Sequence, residues 1–307
     1  MSAPVRPGRS AALVFWSFAA IYLVWGSTYL AIRVVVEEIP PFLSGGSRFL
    51  LAGGVMYAWA RCRGVAPPDR GLWPRALLLG SLFFVLGNGG LSWAETRVPS
   101  GLAALLSATS PVWTVLLTSA HAGWTRPPVR TAVGVIFGLA GVAVLVAPGE
   151  LIGGGHADAA GALAISIASF GWALGSVTSH RLHVHPDPVL ATGMKMLAGG
   201  TMLVLVGLAA GEGPALLAAS VSWRAATAWV YLVIFGSLIG FSAFTYLLRV
   251  TTPAKVSTSA YVNPLVAVAL GWALLGETVS ARTLLAAAVI IGGVVLVRLQ
   301  SDEPQEP

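Results

Sequence analysis

The sequence predicts an all-α membrane protein in which ten transmembrane helices form two inverted repeats of five. Three observations support this prediction. Apolar residues make up 56% of the 307 positions and charged residues only 10%, whereas an average soluble domain has roughly 25% charged residues. Apolar runs of about 20 residues, long enough to cross a bilayer as a helix, recur along the whole chain. Short motifs of the first half reappear in the same order in the second half.

Ten apolar runs can be placed between breaks that are rich in proline and glycine. The breaks include Pro40-Pro41, Pro127-Pro128 and Gly153-Gly154-Gly155. Each run can span roughly 30 Å of hydrocarbon as a helix. The predicted spans are, in chain order, residues 11–32, 41–60, 74–93, 99–120, 131–148, 160–179, 188–210, 225–248, 256–275 and 281–298.

The distribution of basic residues predicts that both termini face the cytoplasm. If the N-terminus is inside, four of the 18 Lys and Arg residues lie in outer segments, two lie deeper inside spans, and the remaining twelve lie in inner segments. The four outer residues are Arg33, Arg97, Arg224 and Arg282. The net charge of +6 is therefore explained by membrane topology and not by a nucleic-acid-binding surface.

Four pairs of short motifs indicate an internal duplication with repeats at residues 11–148 and 160–298, between tails 1–10 and 299–307. Each repeat holds five spans, so the second enters the membrane from the side opposite to the first. Inverted repeats of this kind suit alternating access and favour a transporter over a receptor or a membrane enzyme. The matching pairs are Gly26-Ser27 with Gly175-Ser176, Leu51-Ala52-Gly53-Gly54 with Leu197-Ala198-Gly199-Gly200, Ser110-Pro111 with Asn263-Pro264, and Gly141-Val142 with Gly293-Val294.

The residue types that membrane enzymes need are missing from the predicted spans. All twelve acidic residues and all five histidines fall in predicted loops or at span ends, and Cys62 is the only cysteine. We therefore expect no carboxylate in the membrane interior, no metal site, no cofactor and no enzymatic activity.

Two cations are exceptions because they lie roughly seven or eight residues inside their spans, about 10–12 Å along a helix. Arg48 lies in the second span, and Lys195 lies in the seventh, opposite Phe49 in the motif alignment. Both could face a central cavity and attract an anionic or zwitterionic substrate, and a buried Lys195 could also carry a proton. Alternatively, Arg48 could form a structural or gating bond, and Lys195 could extend to the cytoplasmic boundary.

The two asparagines of the chain, Asn88 and Asn263, both lie in spans and should face other helices or a wet cavity. Pro111 and Pro264 occupy matching positions in the two repeats and are candidate hinges, because proline removes one helical hydrogen bond; a packing kink is the alternative. The complete set of cavity candidates is Tyr29, Arg48, Asn88, Lys195, Tyr246, Tyr261 and Asn263.

Several motifs together resemble the EamA family of the drug/metabolite transporter superfamily, in particular its YedA-like exporters. The resemblance covers residues 11–298. It implies ten helices in two inverted EamA repeats, cytoplasmic termini, and export of small metabolites or drugs across the bacterial inner membrane. The motifs are Trp25-Gly26-Ser27-Thr28-Tyr29, Arg48-Phe49-Leu50-Leu51-Ala52-Gly53, Gly87-Asn88-Gly89, Val98-Pro99-Ser100-Gly101, Tyr261-Val262-Asn263-Pro264 and Leu275-Gly276-Glu277.

The resulting hypothesis is an inner-membrane transporter whose inverted halves rock around a central cavity. Its predicted partners are a small-molecule substrate (an amino acid, metabolite or drug) and membrane lipid, with no nucleic acid, and a homodimer is one arrangement that the sequence allows. Protonation of Lys195, a role for Glu95 at the membrane margin, and uncoupled transport stay open as coupling alternatives. A membrane-embedded scaffold or sensory protein without transport is the alternative function.

Overall fold

The computed structural model describes residues 7–98, 103, 106–121, 123, 127–145 and 159–275, together with 285, 288, 289, 291–293, 295 and 296. Within these ranges the regular secondary structure is entirely helical. Nine main helices follow one another in the part of the chain that the structure describes. They are α1 (Pro7–Val36), α2 (Pro41–Cys62), α3 (Arg70–Glu95), α4 (Ser110–His121), α5 (Val129–Leu145), α6 (Ala159–Arg181), α7 (Pro188–Ala209), α8 (Trp223–Val250) and α9 (Ser259–Leu275). Two short helices, Glu212–Ala218 and Pro253–Ser257, precede α8 and α9.

Four of the predicted spans agree closely with helices of the structure. Spans 41–60, 160–179, 188–210 and 225–248 each match one helix within two residues at both ends. Among the described residues, five helices are long and apolar enough to cross a membrane: α3, α6, α7, α8 and the Ala11–Val36 part of α1. Most of the tenth predicted span, 281–298, lies outside the described residues, so the count of ten stays a prediction.

Local sequence signals fix where several helices begin. Pro41 and Pro188 occupy the first turns of α2 and α7, where a missing N–H costs no helical hydrogen bond. Asp187 caps α7 by accepting a hydrogen bond from the Leu190 N–H at 2.8 Å, and Ser222 caps α8 through the Ala225 N–H at 3.2 Å.

The most extensive contact between two described helices joins α2 to α7, and it runs through glycines on both helices. A Cβ atom at Gly53 would lie 2.9 Å from the Leu197 nitrogen, and one at Gly200 would lie 2.9 Å from the Leu50 nitrogen. Because these near atoms belong to the backbone of the facing helix, a methyl group or larger side chain does not fit at Gly53 or Gly200.

A second pair of glycines repeats this arrangement. A Cβ at Gly46 would lie 2.9 Å from the Val204 nitrogen, and one at Gly193 would lie 2.9 Å from the Tyr57 nitrogen. Positions that increase along α2 meet positions that decrease along α7, so the helices are antiparallel. Adding 147 to an α2 position gives the α7 position with the same contact, as 46 gives 193 and 53 gives 200. The two helices are therefore related by a local pseudo-twofold axis.

Helices α3 and α8 each contain a wide π-helical segment in the middle. The segments are Ser81–Gly89 in α3 and Leu232–Gly240 in α8. A π-helix leaves i to i+4 backbone bonds unmade and commonly marks a functional position. Each segment presents a glycine, Gly87 or Gly236, to the same internal cavity. The length and composition of the apolar runs do not predict these π-helical segments.

Two acidic residues between the main helices connect the starts of α2 and α8 to other parts of the chain. Glu212 accepts backbone hydrogen bonds from Phe42 at 3.2 Å and Leu43 at 2.8 Å, at the start of α2. Glu38 accepts hydrogen bonds from the backbone N–H of Ser222 at 2.6 Å and its hydroxyl at 2.7 Å. Carboxylates at helix N-termini satisfy free N–H groups and interact favourably with the helix dipole.

The Glu38 contact predicts a pH-dependent stability. Hydrogen bonds from the Ser222 backbone and hydroxyl lower the pKa of Glu38 below its usual value of 4.5. A carboxyl whose pKa is lower in the folded state stabilises the fold above its unfolded-state pKa, and this contribution is lost as the pH falls through the folded-state pKa. We expect Glu38→Gln to lower the melting temperature in detergent at pH 7, with the difference narrowing below pH 4.5 and then vanishing.

Glu37→Gln is the matched control for this prediction. Glu37 is 53% exposed and forms an ion pair with Arg33, one turn earlier, at 3.1 Å, and exposed ion pairs of this kind contribute little to stability. Equal melting temperatures for the Glu38 and Glu37 variants at pH 7 would contradict the capping role.

Candidate functional site

An internal cavity of about 120 Å³ lies among helices of both halves of the chain. A buried water needs on the order of 10–15 Å³ measured in the same way, so the cavity has room for a small organic molecule. Its wall is formed by α1, α2, α3, α4, α6, α8 and α9 and the segments before α4 and α9. The polar residues of the wall are Thr28, Tyr29, Arg48, Asn88, Ser107, Ser110, Ser169, Ser257, Ser259 and Asn263.

Arg48 supplies the positive charge of this wall. It is only 5% exposed, and its Nη2 donates a hydrogen bond to Asn88 Oδ1 at 3.1 Å. The guanidinium also stands 4.2 Å from the centre of the Phe49 ring. Asn88 in turn donates from Nδ2 to the Phe83 carbonyl at 3.1 Å, inside the π-helical segment of α3. Arg48 Nε is buried without a partner and can still bind a ligand.

Tyr29 and Asn263 lie together on another part of the wall. The Tyr29 side chain interacts with the side chains of Ser107 and Asn263. Asn263 Oδ1 is buried and accepts no hydrogen bond. An unpaired buried amide oxygen is unfavourable, so a donor group on a bound molecule would be stabilised here.

Lys195, the second predicted cation, is not among the residues that line this cavity. It is 2% exposed, and its Nζ donates a hydrogen bond to Thr245 Oγ1 at 3.4 Å. The rings of Phe241 and Phe83 lie 5.5 and 5.9 Å from Nζ. Phe241 also lines the cavity, so its ring touches both sites.

Two predicted cavity residues lie elsewhere. Tyr246 is half-buried on α8 and is not among the lining residues. Tyr261 is fully buried against Gly138 of α5, where its hydroxyl donates to the Val135 carbonyl at 3.3 Å. Asn263, two residues after Tyr261, lines the cavity, because a shift of two residues rotates a helical side chain by about 200°.

The two predicted hinge prolines lie beside the cavity. Pro264 is inside α9, whereas Pro111 is in the first turn of α4, just after a turn at Ala108-Thr109. Proline has no N–H, so neither can bond the carbonyl four residues earlier. Those carbonyls belong to Ala260 and Ser107, and both residues line the cavity. The residues four positions before the two prolines thus line the cavity at matching positions of the two repeats; hinge motion stays a prediction.

Aromatic rings form a continuous cluster along one side of the cavity. Trp25 and Trp172 meet edge to face with their ring centroids 5.2 Å apart, and Phe83 contacts Trp172 in the same way at 5.2 Å. Phe84 contacts Phe241 at 4.8 Å. Trp25, Trp172 and Phe241 face the cavity, so an apolar or aromatic part of a ligand would be bound by these rings.

Glu95 corrects the expectation that no carboxylate is buried. It is the last residue of α3, is 0% exposed, and neither carboxyl oxygen has a hydrogen-bond partner. The Arg33 side chain donates to the Glu95 backbone carbonyl, and the charges of Arg33 and Arg48 act on its carboxyl. The spacing could have revealed this position, because Glu95 is seven residues, or two turns, after Asn88 and shares its helix face.

The assembled site can bind a small amphipathic molecule. Arg48 and Asn88 can bind a carboxylate, Asn263 Oδ1 can accept from an ammonium or hydroxyl group, and Trp25 and Trp172 can hold an apolar part. The described part of the site contains no nucleophile activated by a base, so the arrangement suits binding better than bond chemistry.

Comparisons with known proteins place this chain among membrane transporters. The uncharacterized inner membrane transporter YedA of Escherichia coli strain K12 is 41% identical over 93% of this chain and 90% of its own length. A probable terminal-alkyne amino-acid exporter of Streptantibioticus cattleyicolor is 28% identical over 92% of both chains. One crystal structure has a TM-score of 0.73 at 24% identity, covering 95% of this chain and 99% of the other, which supports the fold alone.

The family comparison covers both halves of the sequence. Residues 12–147 and 159–299 each match the sequence model of the EamA-like transporter family. A family of transporters argues against an enzymatic role. With two matched segments over most of the chain and a relative at 41% identity, this protein belongs to the EamA-like transporter family.

Proposed function

We propose that this chain exports small organic solutes across the bacterial inner membrane by alternating access between two inverted five-helix repeats, residues 11–148 and 160–298. The observation that carries the proposal is the polar cavity to which both halves contribute, with Ser107 and Ala260 lining it at matching positions. Binding sites of inverted-repeat carriers lie at such a repeat interface.

The α2–α7 contact supports the proposed mechanism. Its glycines allow the two backbones to approach closely, and because the two helices are related by a local twofold axis, a small tilt between the halves can exchange the surroundings of one helix for those of the other. A carrier built in this way can exchange its outward and inward arrangements around one fixed site.

The proposed orientation has both termini in the cytoplasm, because twelve of the 18 basic residues then lie on the inner side. Export as the direction is supported by the similarity to the probable amino-acid exporter of Streptantibioticus cattleyicolor. Membrane lipid surrounds the exposed apolar side chains, and a homodimer is an arrangement that size measurements in detergent can test.

We propose a solute with one carboxylate and an apolar or aromatic portion, such as an amino acid or a related metabolite or drug. Arg48 is the cation of the cavity wall, and a single cation balances a single negative charge. The rings of Trp25 and Trp172 provide the apolar surface. Lys195, Glu95 and uncoupled transport remain alternatives for energy coupling.

The function is tested by profiling extracellular metabolites of cells that express or lack the protein, followed by flux of the strongest hit in proteoliposomes. We expect at least one small carboxylate-bearing solute to accumulate outside expressing cells and to move into or out of proteoliposomes that contain the purified protein. Empty liposomes and liposomes with the Arg48→Leu variant are the controls.

A scaffold or sensory protein without transport activity predicts the opposite outcome. Cells with and without the protein would then have the same extracellular metabolites, and no solute would raise the melting temperature of the purified protein. Either a specific flux or a solute-dependent stabilisation separates the carrier from this alternative.

A further inference from the structure

Arg48 and Lys195 are counterparts in the two halves of the molecule. The glycine contacts between α2 and α7 set the correspondence at 147 residues, and position 48 then corresponds to position 195. The motif alignment, with an offset of 146, had placed Lys195 opposite Phe49. The structure therefore shifts the register by one residue and makes the two intramembrane cations equivalent.

The two equivalent cations have different surroundings. Arg48 lines the cavity and pairs with Asn88 on α3, whereas Lys195 is outside the cavity and pairs with Thr245 on α8. Helices α3 and α8 occupy corresponding places in the two halves, so in each half the cation bonds to a side chain of the helix that follows it. The two cations differ because Arg48 lines the cavity and Lys195 does not.

Close packing of α3 on α7 encloses Lys195 on one side. A Cβ at Gly80 would lie 2.7 Å from the Lys195 carbonyl oxygen, and one at Gly199 would lie 2.6 Å from the Gly80 carbonyl oxygen. On the other side, the rings of Phe83 and Phe241 stand between Nζ and the aromatic side of the cavity. Lys195 is thus enclosed by elements whose relative positions change if the halves rock.

The enclosure leaves Lys195 with little compensation for its burial. Its one hydrogen bond, to Thr245, is long at 3.4 Å, and no carboxylate within the described residues lies within 4.0 Å of Nζ. A buried ammonium with so few partners is unfavourable in a low-dielectric interior. Such a residue is explained if another conformation gives it a negatively charged partner.

We propose that Lys195 binds the carboxylate of the transported solute in the opposite conformation, where it takes the place that Arg48 has in this one. This inference rests on the proposed carrier function. The solute's carboxylate contacts Lys195 when the cavity is open to one face of the membrane and Arg48 when it is open to the other. Movement of the Phe83 and Phe241 rings separates the two states.

Thiol labelling tests this inference without a known solute. In a Cys62→Ser background, Thr245→Cys places a thiol beside the intact Lys195, and Asn88→Cys places one beside the intact Arg48. The probes are membrane-impermeant methanethiosulfonates that carry either a sulfonate or a trimethylammonium group. They are added to right-side-out and inside-out membrane vesicles.

We expect the two thiols to react from opposite faces of the membrane. The sulfonate reagent should modify Thr245→Cys on the order of tenfold faster than the cationic reagent, because Lys195 attracts the anion. Adding Lys195→Gln should remove this preference. Asn88→Cys should show the same preference from the other face, and Arg48→Gln should remove it.

Labelling of Thr245→Cys from neither face, from the same face as Asn88→Cys, or with a preference that persists in Lys195→Gln would overturn the inference. Gel filtration verifies folding, and if Thr245→Cys is misfolded, exchange of the solute found by profiling decides the question. Lys195→Arg should then retain exchange and Lys195→Gln should lose it. An absence of flux for every solute would refute the proposed function, whereas normal flux with unreactive Thr245→Cys would refute only this inference.

Discussion

Replacing Gly53 with alanine should destabilise the protein strongly, although the change adds only one methyl group. That methyl would lie 2.8 Å from the Met196 Cβ, 2.9 Å from the Leu197 nitrogen and 3.0 Å from the Gly193 carbonyl oxygen. Two of these atoms are backbone and cannot move aside, so α2 and α7 must separate. We expect a loss of about 2–3 kcal/mol or more, the range for overpacked interiors, measured as a lower melting temperature in detergent.

The neighbouring glycine is a matched control for this prediction. A Cβ at Gly54 would have no atom within 4 Å, and alanine in a helix is favoured over glycine by up to about 1 kcal/mol. Gly54→Ala should therefore leave the melting temperature unchanged or raise it. Gly200→Ala, the repeat counterpart of Gly53→Ala, should destabilise as Gly53→Ala does. Similar melting temperatures for Gly53→Ala and Gly54→Ala would show that the helix contact is looser than described.

The sequence predicted the helices well because their signals are local. Apolar length places a span, and Pro41 and Pro188 mark helix starts through a property of their own backbone. The π-helical segments in α3 and α8 were missed because their cause is packing between helices, which no apolar run records. The undescribed part of the tenth span leaves the helix count as a prediction.

The candidate site was only partly predictable, for a different physical reason. Arg48, Asn88, Tyr29 and Asn263 were selected because polar groups in a membrane need partners, and all four line the cavity. That rule does not distinguish a residue that lines the cavity from one that forms a polar contact elsewhere between helices. Lys195 forms such a contact with Thr245. Glu95 was placed at the membrane margin because it follows the predicted end of the third span, whereas the packing around it leaves it fully buried.

Replacing Arg48 with leucine should abolish most transport of carboxylate-bearing solutes. Arg48 is the cation of the cavity wall, and leucine removes both the positive charge and the hydrogen bond to Asn88. A charge-assisted hydrogen bond contributes about 1.5–3 kcal/mol, so the flux at low concentration should fall by roughly tenfold to a hundredfold. The measurement compares uptake of an acid and its uncharged amide by proteoliposomes that contain equal amounts of folded protein.

The comparison of acid and amide separates a binding role from a structural one. If Arg48 binds the carboxylate, Arg48→Leu reduces flux of the acid far more than flux of the amide, because the amide never gained the charge interaction. Arg48→Lys should retain part of the acid flux, since it keeps the charge but loses the planar geometry of the guanidinium. If the flux of the acid and the flux of the amide fall equally, the role of Arg48 is structural. Its bond to Asn88 then holds α2 against the π-helical segment of α3. Loss of the Asn88 side chain in Asn88→Ala would then reproduce the whole effect, whereas a carboxylate-binding Arg48 predicts that Asn88→Ala keeps the preference for the acid.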